Sequence, residues 1–198
     1  MNATSMTVAG ARLEWNPADR GRIAMFSLIA AEASIFTIFV VAYVFYLGKS
    51  LSGPTPQDVL RVPVFYTICL LSSSVTIHFA AKSLRRGGVL RFGALWLATI
   101  TLGAGFLYGT GTEWYRLIYK ERFTIGTNLF GTTYYSLVGL HAFHVVVGLF
   151  VLSIVMAFTL LGSVRSEHAE RIDVLSLYWH FVDVVWIVVF TVVYLMGR

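Results

Sequence analysis

Two ionisable side chains stand in an apolar stretch near the carboxyl end of this sequence. His180 and Asp183 are three residues apart within YWHFVDVVW at 178–186, whose other members are apolar or aromatic. On a helix this spacing puts both side chains on one face, about 5–6 Å apart at Cβ. A carboxylate and an imidazole at membrane depth are costly to bury and usually mark a functional site. The sequence therefore predicts that the pair has polar partners elsewhere in the chain.

Three more ionisable side chains lie well inside other apolar segments, and these are the candidate partners. Glu32 is the single charged residue of the first segment, and His141 and His144 repeat the spacing of three in the fourth. At a rise of 1.5 Å per residue, these side chains fall at similar depths in the bilayer. We expect one polar cluster that links the first, fourth and fifth segments.

Four kinds of chemistry are open to such a cluster. A di-metal bundle uses Glu-x-x-His pairs and several glutamates, whereas this chain has one intramembrane glutamate. Haem b needs axial histidines, and four histidines could supply them. A proton relay needs a Glu, His and Asp set, and the last alternative is hydrogen bonding that fixes helix packing and holds lipid head groups. The four histidines in question are His78, His141, His144 and His180.

Five apolar segments must position these residues, and each is long enough to cross a hydrocarbon core of about 30 Å. Charged residues make up only 13% of the 198 residues, against roughly 25% in soluble domains. We therefore predict an all-α, polytopic membrane protein with one membrane domain, 1–198, and no sizeable soluble domain. The predicted spans are 23–47, 62–81, 92–110, 130–161 and 174–196.

The basic residues predict an orientation rather than a nucleic-acid site, because they fall in short loops between apolar segments. Nine of the fifteen lysines and arginines belong to the amino-terminal tail, the second loop and the fourth loop, and six to the opposite side. The positive-inside rule then places the N-terminus in the cytoplasm and the C-terminus outside. The nine are Arg12, Arg20, Arg22, Lys82, Arg85, Arg86, Arg91, Arg165 and Arg171; the six are Lys49, Arg61, Arg116, Lys120, Arg122 and Arg198.

Two further features limit the chemistry of the chain. Glu113, Trp114 and Arg116 follow the third segment and predict an interfacial belt at its outer end. Cys69 is the single cysteine, which excludes an internal disulfide and any cysteine-rich metal or iron–sulfur site.

The stretch YWHFVDVVW at 178–186 resembles the terminal-helix signature of subunit III of haem–copper oxidases, the cytochrome c oxidase subunit 3 family. GLHAFHV at 139–145 is similar to that family's G-F-H-G-L-H-V. FTI at 123–125, GTT at 131–133 and EWY at 113–115 also resemble family motifs in order and spacing. Glu32 stands where the family carries an intramembrane glutamate. The resemblance covers nearly the whole chain after residue 22 and is to the short five-span form.

This resemblance implies a subunit without catalytic residues, redox centres or metal ligands of its own, with haem and copper held by partner subunits. The chain would contact mainly subunit I, with subunit II in the same complex, bind phospholipid in a cleft and sustain proton uptake. Its expected location is the plasma membrane of a bacterium. The residues carried over as polar and lipid-cleft residues, not catalytic ones, are Glu32, His141, His144, His180 and Asp183.

Alternative functions remain within and outside the family. The chain could serve a quinol oxidase that uses no cytochrome c, or be the related accessory protein of nitric oxide reductase. A free-standing haem b membrane cytochrome is the alternative of another class. The sequence offers no cysteine pair for a dinuclear copper site and no adjacent histidine pair for a haem–copper centre.

Overall fold

A computed structural model describes residues 17–50 and 53–196, and all of its regular structure there is helical. Five of its helices are long and apolar enough to cross a membrane, as predicted. Arg12 and Arg198, which entered the orientation argument, lie outside the described residues. The helices are α1 (Pro17–Tyr46), α2 (Pro56–Val59), α3 (Val64–Arg85), α4 (Val89–Tyr115), α5 (Leu129–Leu160) and α6 (Ala169–Phe190).

Two of the long helices, α4 and α6, extend beyond the apolar segments that predicted them. α4 itself runs to Tyr115, past the expected end at 110, and one turn of π-helix at Arg116–Lys120 continues it. A second turn of π-helix, Thr191–Leu195, continues α6. At its other end, α6 begins at Ala169 rather than 174. Because a helix makes its backbone hydrogen bonds internally, it can continue through charged residues at the headgroup level. Hydropathy therefore marks the hydrocarbon core, not the ends of the helices.

Local sequence signals explain where α3 ends and where α5 begins. The side chain of Asn128 accepts a hydrogen bond from the Gly131 amide at 2.8 Å, which caps the start of α5. Gly87 has a φ of +78°, a left-handed conformation that suits glycine, and it ends α3. This tight turn returns the chain directly into α4, so α3 and α4 pack as an antiparallel hairpin.

α6 is the most buried of the five long helices and has contacts to α1, α3 and α5. α4 packs on α5, and α5 also contacts α1, which closes the arrangement around α6. The indole of Trp179 on α6 fills a space against Gly103 on α4 and Gly148 on α5, where a Cβ atom would lie 2.9 Å and 2.8 Å from its ring carbons. These glycines let two helices, α4 and α5, approach the buried tryptophan of α6.

The short helix α2 is fixed to the end of α4. The Asp58 carboxylate accepts hydrogen bonds from the Thr55 hydroxyl at 2.6 Å and the Thr55 amide at 2.8 Å, and these bonds lower the pKa of Asp58. Arg116 then donates to the Val59 carbonyl at 2.7 Å. The loop between α1 and α3 is thereby joined to the polar end of α4.

Candidate functional site: buried polar pairs and an apolar cavity

Glu32 on α1, which is partly buried, and His144 on α5, which is buried, form the first polar pair. Oε2 of Glu32 lies 3.0 Å from Nε2 of His144, and Nδ1 of His144 lies 2.8 Å from the Leu140 carbonyl. Since a carbonyl only accepts, Nδ1 carries a proton and donates it. Nε2 then lies within hydrogen-bond distance of the Glu32 carboxyl group, so each ionisable side chain has a polar partner. Such pairing is usual for ionisable groups at membrane depth.

An apolar cavity of about 270 Å³ opens beside this pair, between α1, α5 and α6. Three ionisable residues line the cavity: Glu32, His144 and Tyr178. The rest of its wall is largely aliphatic and aromatic. A cavity with such a wall stays favourable for an apolar occupant rather than for water. Met25, Leu28, Phe143, Val147, Val151 and Leu175 supply most of the wall.

Ser74, His180 and Asp183 form the second polar group, which joins α3 to α6. The Ser74 hydroxyl donates to Oδ2 of Asp183, and it lies 3.0 Å from Nδ1 of His180. Because its own proton goes to Asp183, the hydroxyl accepts from Nδ1–H of His180. Asp183 is only 3% exposed, and within the described part of the chain its other oxygen, Oδ1, has no hydrogen-bond partner.

His141 belongs to neither hydrogen-bonded group. Its ring is fully buried, and neither ring nitrogen has a partner among the described residues. The imidazole lies against the indole of Trp186, with 4.9 Å between ring centroids, and edge-on to Phe36 and Phe106. In this structure His141 is part of the aromatic core.

The single polar cluster predicted from the sequence is therefore divided in two. Glu32 pairs with His144, whereas His180 and Asp183 pair with Ser74 on α3. Three residues along a helix still differ by about 60° in direction. That difference turns His144 toward α1 and His141 into the core, so similar depth did not bring the two histidines to one site.

Ser74 is the residue that sequence reasoning missed, although a signal for it exists. Small hydroxyl residues in membrane helices often hydrogen-bond across helix interfaces, and SSS at 72–74 interrupts an apolar segment. Ser73 accepts from the Trp179 indole at 2.8 Å, and Thr67 accepts from the Trp186 indole at 3.2 Å. α3 thus supplies α6 with a row of hydroxyl groups.

The predicted interfacial residues lie together at the end of α4. Glu113 and Arg116 form a salt bridge, and Arg116 also reaches Glu121 at 3.3 Å. The Trp114 ring packs against Tyr135 of α5, with 5.3 Å between centroids. Together with the Arg116–Val59 hydrogen bond, these contacts tie the end of α4 to α2 and α5. Where this turn lies relative to the membrane surface stays a prediction.

Within residues 17–50 and 53–196, no three His, Cys, Asp or Glu side chains come together in an arrangement that could hold a metal ion. The site that these residues do form consists of two polar contacts between helices and an apolar cavity. Such an arrangement can hold helices together, accommodate an apolar ligand in the cavity and give ionisable side chains hydrogen-bond partners within the bundle.

Comparison with known proteins identifies relatives over most of the sequence. The family model described as "Cytochrome c oxidase subunit III" matches residues 22–198. The chain is 32% identical to "Cytochrome c oxidase subunit 3" of Alkalihalophilus pseudofirmus, over 85% of this chain and 83% of the relative. It is 33% identical to "Cytochrome bo(3) ubiquinol oxidase subunit 3" of Pseudomonas aeruginosa, over 85% and 81%. It is 36% identical to "Probable cytochrome c oxidase subunit 3" of Mycobacterium leprae, over 82% and 79%.

Proposed function

We propose, from the premise that this chain belongs to the cytochrome c oxidase subunit III family, that it supports the catalytic subunit I of a bacterial terminal oxidase. Family membership itself makes the chain a multi-pass membrane subunit of a haem–copper oxidase complex, without a catalytic role of its own. The proposal adds its contacts, its lipid and its task in that complex.

In the proposed role, the chain packs against subunit I in a complex that also contains subunit II. Haem and copper belong to those partner subunits, and this chain holds phospholipid. The observation that carries the proposal is the Glu32–His144 pair beside the apolar cavity of about 270 Å³. A phospholipid acyl chain in that cavity would complete the packing of α1 on α5 and α6 and so sustain proton uptake by the catalytic subunit.

The electron donor is proposed to be cytochrome c, with quinol as the alternative. Relatives at similar identity include proteins named as cytochrome c oxidase subunits and proteins named as quinol or ubiquinol oxidase subunits. The five-helix scaffold is compatible with both donors, because the proposal places donor oxidation in partner subunits. Membership of this family favours a supporting subunit over a free-standing haem b cytochrome.

The proposed location is the bacterial plasma membrane, with the N-terminus in the cytoplasm and the C-terminus outside. The excess of basic residues in the amino-terminal tail, the second loop and the fourth loop, nine against six on the opposite side, supports this orientation. A reporter enzyme fused after Arg198 should be active only outside the cytoplasm. Activity restricted to the cytoplasm would reverse the orientation.

The proposed supporting role is tested by comparing complexes with and without this chain. Oxygen consumption would be followed at saturating donor, first as an initial rate and then over many turnovers. Without the chain, the initial rate should change little, while activity should decline earlier because proton uptake is no longer sustained. Equal durability of the two complexes would contradict the role. A complex carrying Ser34→Ala serves as control, since among the described residues that hydroxyl bonds only to the Ala30 carbonyl of its own helix.

A further inference from the structure

Three buried tyrosines lie at the end of the bundle where α1 ends, α5 begins and α6 ends. Tyr43 belongs to α1, Tyr134 to α5, and Tyr194 to the turn of π-helix that continues α6. Their exposed fractions are 1%, 0% and 3%. None of the three lines the apolar cavity beside Glu32, so this tyrosine group is separate from that cavity.

Aromatic and electrostatic contacts bring the members of the tyrosine group together. The ring of Phe130 contacts both Tyr43 and Tyr134, with centroid distances of 6.4 Å and 5.9 Å. The Tyr194 hydroxyl is close enough to interact electrostatically with the hydroxyl groups of Tyr43 and Tyr134. Three helical segments therefore direct a hydroxyl group to one buried place.

Two of these hydroxyl groups have no hydrogen-bond partner among the described residues. Oη of Tyr43 and Oη of Tyr134 are both buried, and neither forms a hydrogen bond there. The hydroxyl groups of Tyr134 and Tyr194 are close, but not in the geometry of a direct hydrogen bond. Leaving a buried hydroxyl without a partner is costly, and most buried polar groups in proteins have one. The two hydroxyl groups therefore need a partner other than these side chains.

We propose that this partner is one internal water molecule, which bridges the hydroxyl groups of Tyr43, Tyr134 and Tyr194. A buried water makes about three hydrogen bonds, typically to groups that would otherwise have none. A phenol hydroxyl can both donate and accept, so a central water can donate to two of the tyrosines and accept from the third. Water commonly bridges polar groups that are too far apart or too poorly aligned for a direct bond.

The surroundings of the tyrosine group favour a neutral ligand supplied by solvent. The Glu113 carboxylate interacts electrostatically with Tyr134 and Tyr194, and Arg116 interacts with Tyr194. Glu113 and Arg116 form a salt bridge with each other, so the charges nearest to the tyrosines are already paired and do not hold a further ion. Since the three tyrosines are buried within this chain, a partner subunit cannot reach them to supply the missing bonds.

The bridging water fixes α1 at a second point. Tyr43 lies eleven residues after Glu32, which is about 16 Å further along the helix. The Glu32–His144 contact holds the middle of α1, whereas the water holds its carboxyl end against the start of α5 and the end of α6. Because α1 is the least buried of the five long helices, it has few other contacts that could replace this one.

The test removes the hydroxyl groups from the full-length chain, purified with whatever subunits accompany it. Tyr43→Phe, Tyr134→Phe and the double variant are compared with Tyr108→Phe, the control, which removes the hydroxyl of a tyrosine that is 70% exposed on α4. Infrared difference spectra between wild type and variant, recorded in ordinary and in ¹⁸O-labelled water, detect the internal water by an O–H stretching band that shifts with the isotope. Thermal unfolding and hydrogen exchange of α1 measure what this water contributes to stability.

We expect the wild type to show an isotope-sensitive band that Tyr43→Phe and Tyr134→Phe lose and Tyr108→Phe keeps. In the first two variants, the carboxyl half of α1 should exchange about fivefold faster, as for the loss of one hydrogen bond. The double variant should exchange more slowly than the product of the two single effects predicts, because both substitutions disrupt the same water site.

Higher melting temperatures for Tyr43→Phe and Tyr134→Phe would overturn the proposal, because each substitution would then only remove an unpartnered hydroxyl. Lower stability without an isotope-sensitive band would also overturn it, since the hydroxyl groups would then bond directly to one another. Strictly additive effects would show that the two tyrosines share no ligand. The inference depends only on the packing of the helices, so its outcome is independent of the oxidase assignment.

Discussion

Glu32 and His144 connect the outermost long helix to the bundle, with 3.0 Å between Oε2 and Nε2. α1 has the smallest buried share of the five long helices, and its neighbours are α5 and α6. A hydrogen bond in this position fixes both the rotation and the height of α1. It also closes one side of the apolar cavity that we propose as a lipid site.

The first prediction concerns that contact. Glu32→Leu should lower the free energy of unfolding by about 1 kcal/mol, in the range of interhelical hydrogen bonds in membranes. Glu32→Gln should lie close to wild type, because its amide can donate to Nε2 of His144. Thermal unfolding in detergent and hydrogen exchange of α1 would measure both effects, with Ser34→Ala as the control on the same helix. If Glu32→Leu leaves α1 as protected as in the wild type, the contact does not hold the helix.

The second prediction concerns Ser74 and Asp183. Ser74→Ala removes the donor to Oδ2 and, among the described residues, leaves the carboxylate without a hydrogen bond. The cost should be about 1–3 kcal/mol, as for a buried polar group that loses its partner. Adding Asp183→Asn to Ser74→Ala should recover part of it, since a neutral amide is less costly to bury than a charged group.

A double-mutant cycle on the unfolding free energies gives the measurement for this second prediction. Ser153→Ala is the matched control, because in the described part of the chain that hydroxyl bonds only to the Leu149 carbonyl of its own helix. Strictly additive effects of Ser74→Ala and Asp183→Asn would show that the two side chains do not interact.

The third prediction compares two glycines of α4. Gly103→Ala would place a Cβ atom 2.9 Å from both Leu149 and the buried indole of Trp179, so the helices must separate. We expect a loss of about 1–3 kcal/mol, typical of an overfilled core. Gly105→Ala meets nothing within 4 Å and should be neutral or slightly stabilising. Equal thermal stability of the two variants would contradict the packing around Trp179.

The number of membrane-spanning helices could be predicted from the sequence, because each span is a long apolar run with few charged residues. The residues at which α4 and α6 begin or end could not be predicted in this way. Hydropathy falls at charged residues such as Glu113 and Arg116, whereas the helix continues through them. Residues such as Glu32 and Asp183 also stand out, because ionisable groups are rare at membrane depth.

The pairing of those residues could not be predicted, because sequence position gives depth along a helix but not the direction of a side chain across the bundle. His141 and His144 illustrate this: one contacts Trp186 and the other contacts Glu32. Ser74 escaped prediction for a different reason. Serine is common in membrane helices, and only its contact with Asp183 distinguishes it.

Purification in mild detergent followed by visible spectroscopy tests the central claim, that this chain is a supporting subunit of a terminal oxidase. The account predicts that an oxidase catalytic subunit co-purifies with the chain and that the complex shows haem absorption. After the other subunits are removed, the isolated chain should show no Soret band. A Soret band that persists in the isolated chain, or purification without any oxidase subunit, would contradict the account.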